Sequence, residues 1–375
     1  MATPQTAATT IDPISDGAVD AFSDFDNRYL RQGVARNDLA SLPVIDISPF
    51  MQGGSETARD AVAKQIRQAS IDIGFFYAKG HGFSAAELQA LLDWGLRFFH
   101  LPRAEKDKLF WKKDPGRGYV PPGGLNPEAN KDKPVDLKER LYFAREFALS
   151  AAEHAGAFPP GPHQWPDETA LPGFRRFVAD TQYKSVDLIQ RLGFALARSL
   201  GLDEGYFERE NGRFGSTMVY NYYPPLDRAT LERTQWSFSP HTDYGSFTVV
   251  VQDENGGLQV RNAAGQWIDV TPIPGTVIVN IGDLVALATN DLYTSNLHRV
   301  ANFSGNERLS VSFFVGPPST AEISCLPTCR GPDNPARYPT VNADEYTQAL
   351  IEQYHRTGRP GIAVTTATRF KRQSV

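Results

Sequence analysis

Arg308-Leu309-Ser310-Val311-Ser312-Phe313-Phe314-Val315 is the stretch that decides the architecture. Successive side chains of an extended chain point to opposite faces. The run therefore sends Leu309, Val311, Phe313 and Val315 one way and Arg308, Ser310, Ser312 and Phe314 the other. The first set suits an apolar core. The second puts a guanidinium and hydroxyls on the opposite face, which is costly inside a barrel unless they bind something. Similar short runs surround it: Thr217-Met218-Val219-Tyr220, Ser246 to Gln252, Leu258-Gln259-Val260 and Thr276 to Ile281, each bounded by Gly, Asn, Asp or Pro. Several short strands at close spacing between turn signals, from Ser216 to Pro317, predict a sandwich or barrel.

Working outward, Leu42 to Ile47 reads as a short strand, Ala58 to Ile73 as a helix, and Phe75-Phe76-Tyr77-Ala78 as a strand ending at the turn Gly80-His81-Gly82, where His81 is a loop residue. Ser84-Ala85-Ala86-Glu87 has the form of a capping box. Behind it Leu88, Leu91, Leu92, Leu96 and Phe99 make one apolar helical stripe. Residues 114–136 and 151–172 read as loops. Phe174 to Leu200 is the longest helical pattern, followed by Gly201 where a C-terminal glycine belongs, and is expected to brace the back of a sheet. Asp344 to His355 reads as a short helix. The expected organisation is a weakly structured leader at 1–41, a helix-rich segment at 42–212 packing on the barrel, a jelly-roll core at 213–317, and a C-terminal strand and helix at 318–375.

The chain has 375 residues, a formal net charge of −5 and ordinary globular proportions, with 41% hydrophobic and 22% charged residues. No basic run tracks phosphates, which argues against nucleic acid, and no apolar stretch approaches bilayer length, which argues against a membrane span. The first residues lack the pattern of a secretory signal, so the expected compartment is the cytoplasm. Two cysteines, Cys325 and Cys329, make a poor zinc site without further Cys or a nearby His. They are expected to pack in or near the core.

Chemistry concentrates in three pieces. In an extended strand, the side chains of His241 and Asp243 in His241-Thr242-Asp243 point the same way. His298 lies in a second strand-like run, Leu297 to Val300. Two imidazoles and one carboxylate are the facial set of non-haem Fe(II) oxygenases, which leaves three coordination positions open. Arg308 and Ser310 follow on one face, and a guanidinium fork matches a carboxylate.

With these motifs the sequence resembles the 2-oxoglutarate-dependent Fe(II) dioxygenases of the isopenicillin N synthase-like family. The matching text is Asn221-Tyr222-Tyr223-Pro224-Pro225, His241-Thr242-Asp243, Gly256-Gly257-Leu258-Gln259-Val260, Asn280-Ile281-Gly282-Asp283, Ser295 to Val300 and Arg308-Leu309-Ser310, in order, over about residues 42–317. The resemblance implies a distorted double-stranded β-helix (jelly roll) with flanking helices. It implies His241, Asp243 and His298 on Fe(II), Arg308 and Ser310 on the distal carboxylate of 2-oxoglutarate, and Asn221 and Tyr223 beside that co-substrate. It also implies O2 as oxidant, release of succinate and CO2, and hydroxylation, desaturation or cyclisation of a small organic molecule, with specialised metabolism as the setting.

Phe314 shares the face of Arg308, and Arg117, Tyr119, Arg140 and Phe143 are expected pocket walls, with Arg117 or Arg140 available to a substrate carboxylate. Asn280 and Asp283 are expected to set a turn. Two other readings stay open: an Fe(II) oxidase of the same fold that needs no 2-oxoglutarate, and a jelly roll that binds a metal or ligand without turnover.

Overall fold

The computed structural model describes residues 39–111, 117–122, 124, 136–144, 163–226 and 237–357. Most of the expected leader, parts of both expected loops and the C-terminal tail lie outside them.

The strands are β1 (Val44–Asp46), β2 (Phe75–Lys79), β3 (Gly118–Val120), β4 (Glu139–Ala144), β5 (Gly215–Tyr223), β6 (Phe238–His241), β7 (Phe247–Gln252), β8 (Leu258–Arg261), β9 (Trp267–Asp269), β10 (Val277–Ile281), β11 (His298–Val300), β12 (Arg308–Gly316), β13 (Glu322–Ile323) and β14 (Val341–Asn342). The helices are α1 (Ser48–Met51), α2 (Glu56–Asp72), α3 (Ala85–Phe99), α4 (Arg103–Asp107), α5 (Phe174–Ser199), α6 (Tyr206–Asn211), α7 (Asp283–Ala288) and α8 (Ala343–Thr357).

Eight strands form one sheet in the order β1-β2-β10-β7-β12-β5-β4-β3, and four form a second in the order β6-β11-β8-β9. The helix-rich segment expected to pack on the barrel also builds it, because β1 to β4 all join the large sheet. β3 and β4 pair with each other, and β3 lies inside the stretch expected to be loop. A three-residue strand offers too few alternations to register as a pattern.

Alternation divides the large sheet cleanly. Phe76, Ala78, Leu141, Phe143, Met218, Tyr220, Val249, Val251, Val279, Leu309, Val311 and Phe313 belong to the main core with the helices. Leu88 and Leu91 of α3, Leu188 and Ile189 of α5, and Val249, Val251 and Phe313 of the sheet line one shared apolar cavity. The other face supplies Phe75, Tyr77, Tyr223 and Ile278, which pack on Leu258, Val260 and Val300 of the small sheet. The two sheets therefore face each other, with helices behind the large one, the layered arrangement expected from packed amphipathic elements.

Local signals hold these elements in place. Ser84 and Glu87 form the reciprocal capping box at the start of α3, satisfying amides that have no partner within the helix. Gly74, between α2 and β2, has φ 74°, and a Cβ there would sit 2.0 Å from the carbonyl oxygen of Thr294. No other residue fits that crossing. Cys325 and Cys329 are unpaired and buried in the main core. His81 is a buried loop residue whose Nε2 lies 3.2 Å from the Gly275 carbonyl. No helix among the described residues is long and apolar enough to cross a membrane.

Candidate active site

β6 and β11 are neighbours in the small sheet, and His241 and His298 are directly paired across them. Their rings lie 4.1 Å apart between centroids. β6 ends at His241, so Asp243 sits in the following loop rather than on the same strand face. Thr242 between them is buried as well and donates to Asp283 at 3.3 Å. Asp243 reaches the imidazoles because the loop turns inward: its backbone carbonyl accepts from the amide of Asp283 at the head of α7, at 2.8 Å. Asp243 Oδ1 is then 3.8 Å from His241 Nε2 and 3.6 Å from His298 Nε2. Among the described residues, these three are the one group of His, Cys, Asp or Glu able to share a metal ion.

The surroundings aim each ligand atom. His241 Nδ1 lies 2.8 Å from the Ser239 carbonyl and His298 Nδ1 lies 3.1 Å from the Asn296 carbonyl. Carbonyls only accept, so both Nδ1 atoms carry the proton and both Nε2 lone pairs face the centre, the usual fixing of a metal-ligating histidine. Asp243 Oδ2 accepts from Thr248 Oγ1 at 2.5 Å and from Asn280 Nδ2 at 2.7 Å, leaving Oδ1 for the centre. Burial, then the neighbouring His298, holds the His241 imidazole well below its ordinary pKa, so its ligating form persists at neutral pH. The donor set fits a divalent iron and leaves one side open.

Asn280 lies within β10 and Asp283 begins α7; neither sets the turn expected of it. Asn280 points inward because its parity in β10 is opposite to that of Val279 and Ile281. Asp283 accepts from Ser295 Oγ at 2.6 Å and from Tyr346 of α8 at 3.4 Å, tying the C-terminal helix to the back of the site. Burial pushes its carboxyl up to about 7.

Arg308 begins β12, opposite Tyr223 of β5, and is 1% exposed. Its Nη1 donates to Ser310 Oγ at 3.2 Å, Nη2 to Gln252 Oε1 at 3.1 Å, and Nε to the Gly256 carbonyl. Its charge lies over the Tyr223 ring at 4.8 Å. No carboxylate pairs with it among the described residues, and those bonds use three of the five N–H groups of a guanidinium. Tyr223 pairs with Arg308 across β5 and β12, and Ser310 follows two residues on along the same face. Asn221, opposite Ser310, donates to Ser312 Oγ at 3.3 Å. Arg308, Ser310, Tyr223, Asn221 and Phe314 thus share the face that looks toward the small sheet.

Three expected pocket residues do not share it. Tyr119 pairs with Leu141, and Phe143 pairs with Met218, all on the helix side. Tyr119 donates to Glu139 at 2.5 Å, and Phe143 stacks on Trp165 at 4.6 Å. Arg117 lies 3.5 Å from His163, whose ring meets Phe143. The physical reason is strand parity: β4 turns Arg140 and Tyr142 inward and sends Leu141 and Phe143 to the core. β3 is buried on both faces, so polarity does not announce which side Tyr119 takes; on β4 Phe143 shares the parity of Leu141, not that of Arg140. Thr248, Gln252 and Lys138 were not expected at the site; Thr248 and Gln252 carry inward parity on β7 but had no partner visible in the sequence.

A family model for the 2-oxoglutarate–Fe(II) oxygenase superfamily matches residues 214–317, and one for the N-terminal region of non-haem dioxygenases in morphine synthesis matches 42–168. The 2-oxoglutarate-Fe(II) type oxidoreductase hxnY of Emericella nidulans is 32% identical, over 83% of this chain and 89% of its own length. The chain belongs to the 2-oxoglutarate–Fe(II) oxygenase superfamily. Another relative of this oxygenase, Kihadalactone A synthase LFS of Citrus sinensis, is 31% identical over 78% of this chain and 87% of that one. The structure of a full-length Neurospora crassa protein in complex with alpha-KG and thymine superposes with a TM-score of 0.74 at 29% identity, covering 86% of this chain and 100% of that one. The jelly roll is thus the oxygenase fold, and the protein is an Fe(II)- and 2-oxoglutarate-dependent oxygenase.

Proposed function

We propose that His241, Asp243 and His298 ligate the iron, that Arg308 and Ser310 hold the distal carboxylate of 2-oxoglutarate, and that Tyr223 and Asn221 line the co-substrate's path from β5. The observation that carries the reading is Arg308. A buried guanidinium without an acid is expensive, and a dicarboxylate bound between it and the metal removes that cost. When bound, iron with 2-oxoglutarate and O2 supplies oxidation of a substrate C–H bond, with release of succinate and CO2.

The chain's own residues supply position and exclusion of water. Ser239 and Asn296 fix the imidazole tautomers, Thr248 and Asn280 orient Asp243, and Gln252 with Gly256 hold the guanidinium plane. The face of Phe314 supplies part of the substrate wall. Relatives named for metabolite synthesis support a role in specialised metabolism.

The test is O2 uptake and succinate release by iron-loaded protein with and without 2-oxoglutarate, before and after chelation. Succinate release that requires both iron and 2-oxoglutarate is expected. O2 uptake indifferent to 2-oxoglutarate in the presence of a turned-over substrate would favour an oxidase that draws its electrons from substrate alone. Ligand binding with no succinate from any compound would favour a binding module.

A further inference from the structure

A second cationic group faces the site beside the one built around Arg308. Asp136, Lys138, Arg140 and Tyr142 alternate with Leu137, Glu139, Leu141 and Phe143 along β4 and its approach. The second series belongs to the helix side: Leu141 and Phe143 are in the main core, and Glu139 pairs with the buried Lys106 at 2.6 Å. The first series therefore faces the small sheet. Arg140 lies opposite Asn221, which lies opposite Ser310. One step along the same register, Lys138 falls level with Tyr223, the partner of Arg308.

Lys138 is 2% exposed. Among the described residues its ammonium makes no hydrogen bond or ion pair and lies over the ring of Phe238. Phe238 in turn packs against His241 at a 34° tilt, 3.8 Å between centroids. Of the two acids near this lysine, Asp243 and Asp136, the stronger influence is Asp136. Its Oδ1 accepts from the Ser239 amide at 2.9 Å, and its Oδ2 is buried without a partner. A ring contact returns far less than the desolvation of an ammonium costs, so the arrangement calls for an anion that arrives later. Iron is excluded by charge. The distal carboxylate of 2-oxoglutarate is already provided for by Arg308, Ser310 and Tyr223, and iron(II) and dianionic 2-oxoglutarate cancel, leaving the balance around Lys138 unchanged.

We propose that Lys138 and Arg140 form a second carboxylate site that holds the organic substrate, and hence that the substrate is an organic acid. The inference rests on the assignment of Arg308 to 2-oxoglutarate made above. Phe238 separates Lys138 from His241, so a carboxylate gripped there leaves the adjoining carbon skeleton to extend toward the iron. Asp136 sets the height of Lys138 by tying its segment to Ser239, whose carbonyl orients His241.

The experiment measures succinate release by the iron- and 2-oxoglutarate-loaded full chain against matched pairs of organic acids and their primary amides: arylacetic acids, medium-chain fatty acids and N-acyl amino acids. The compounds that stimulate release are expected to be acids, with each amide needing at least ten times the concentration for half-stimulation. Lys138→Met and Arg140→Gln should each raise that concentration for the acid by tenfold or more, with a smaller change in the 2-oxoglutarate requirement, and Lys138→Arg should restore most of the response. Because Lys138→Met removes a buried charge, its Tm should equal or exceed that of the wild type, which separates lost binding from lost folding. Amides as effective as acids, acids that never raise release above the substrate-free rate, an unchanged acid response in both variants, or a shift in 2-oxoglutarate requirement as large as the shift for the acid would each overturn the proposal. Absence of any iron- and 2-oxoglutarate-dependent succinate in the wild type would instead overturn the reading on which it rests.

Discussion

The two faces of the eight-stranded sheet are made from alternate residues of the same strands, yet they follow opposite rules. On β12, Leu309, Val311 and Phe313 join a continuous apolar core with α3 and α5. One residue out of step, Arg308, Ser310 and Ser312 bury a charge and two hydroxyls toward the small sheet. The helix face pairs its buried charge within the protein, Lys106 with Glu139, and leaves neutral groups such as the Tyr220 hydroxyl without a partner among the described residues. The inner face leaves its charges unpaired: the guanidinium of Arg308 and the ammonium of Lys138 are buried without an acid bonded to either among the described residues. Apolar packing and buried charge are thus separated by a single step along the chain, and in the proposed reading the inner face is a set of costs that ligands remove.

If that division is right, substitutions on the two faces should fail differently. The largest effect belongs to the metal cluster. Asp243→Ala or His241→Ala should reduce turnover on the order of a thousandfold or more, because a lost ligand costs more than the outer contacts that merely orient it. Melting of the metal-free protein should barely move, and wild-type activity in either variant would break the comparison outright.

Phe313→Ala, on the helix face, should do the reverse. Truncating a core phenylalanine costs about 3–5 kcal/mol of stability, readable by urea denaturation, while the molecules that remain folded keep their metal affinity. Arg308→Gln should raise the 2-oxoglutarate concentration needed for half-maximal rate by roughly 10- to 100-fold, the scale of a lost charge-assisted pair. Metal affinity should change less. An unchanged requirement would move the carboxylate anchor elsewhere.

Asn280→Ala should weaken metal binding about tenfold, the lower end for a contact that orients a ligand; equal affinity would show that Thr248 alone orients Asp243. The smallest effect is expected at the rim of the helix face. Glu87, bonded to Lys184 and to the Ser84 amide, has its carboxyl held at about 2 instead of 4.5. A lowered folded-state value means its contribution is present above pH 4.5 and is lost as pH falls toward 2. Glu87→Gln should therefore cost under about 1 kcal/mol at neutral pH, and the deficit should shrink on acidification through that window.

How much of this was legible depended on contrast. Along β12 the two faces differ in polarity, so alternation alone assigned Arg308 and Ser310 to one side and the core residues to the other. The α3 cap was legible because Ser84 and Glu87 act over three residues. β3 offered no such contrast, being buried on both faces over only three residues; on β4 the alternation of Arg140 with Leu141 puts Phe143 with the core, and only the pairing of β4 with β5 showed that this parity, and not the other, is the helix side. Asp243 was placed correctly beside His241 for a reason the chain does not follow, since the strand stops at His241 and a loop held by Asp283 brings the carboxylate round.

The sequence by itself determined the residue types at the metal cluster, the β-rich character of 216–317 and the inward parity of β12, because these rest on composition and on contacts within a few residues. Only the tertiary structure decided that Thr248 and Asn280 bond Asp243 and Gln252 bonds Arg308, that Tyr119, Phe143 and Arg117 face away, and that Lys138 lies over Phe238 beside His241. Apart from Thr248, which lies five residues from Asp243 across a turn, those relations join positions tens to about a hundred residues apart, and strand order and register, not local spacing, determine which of them meet.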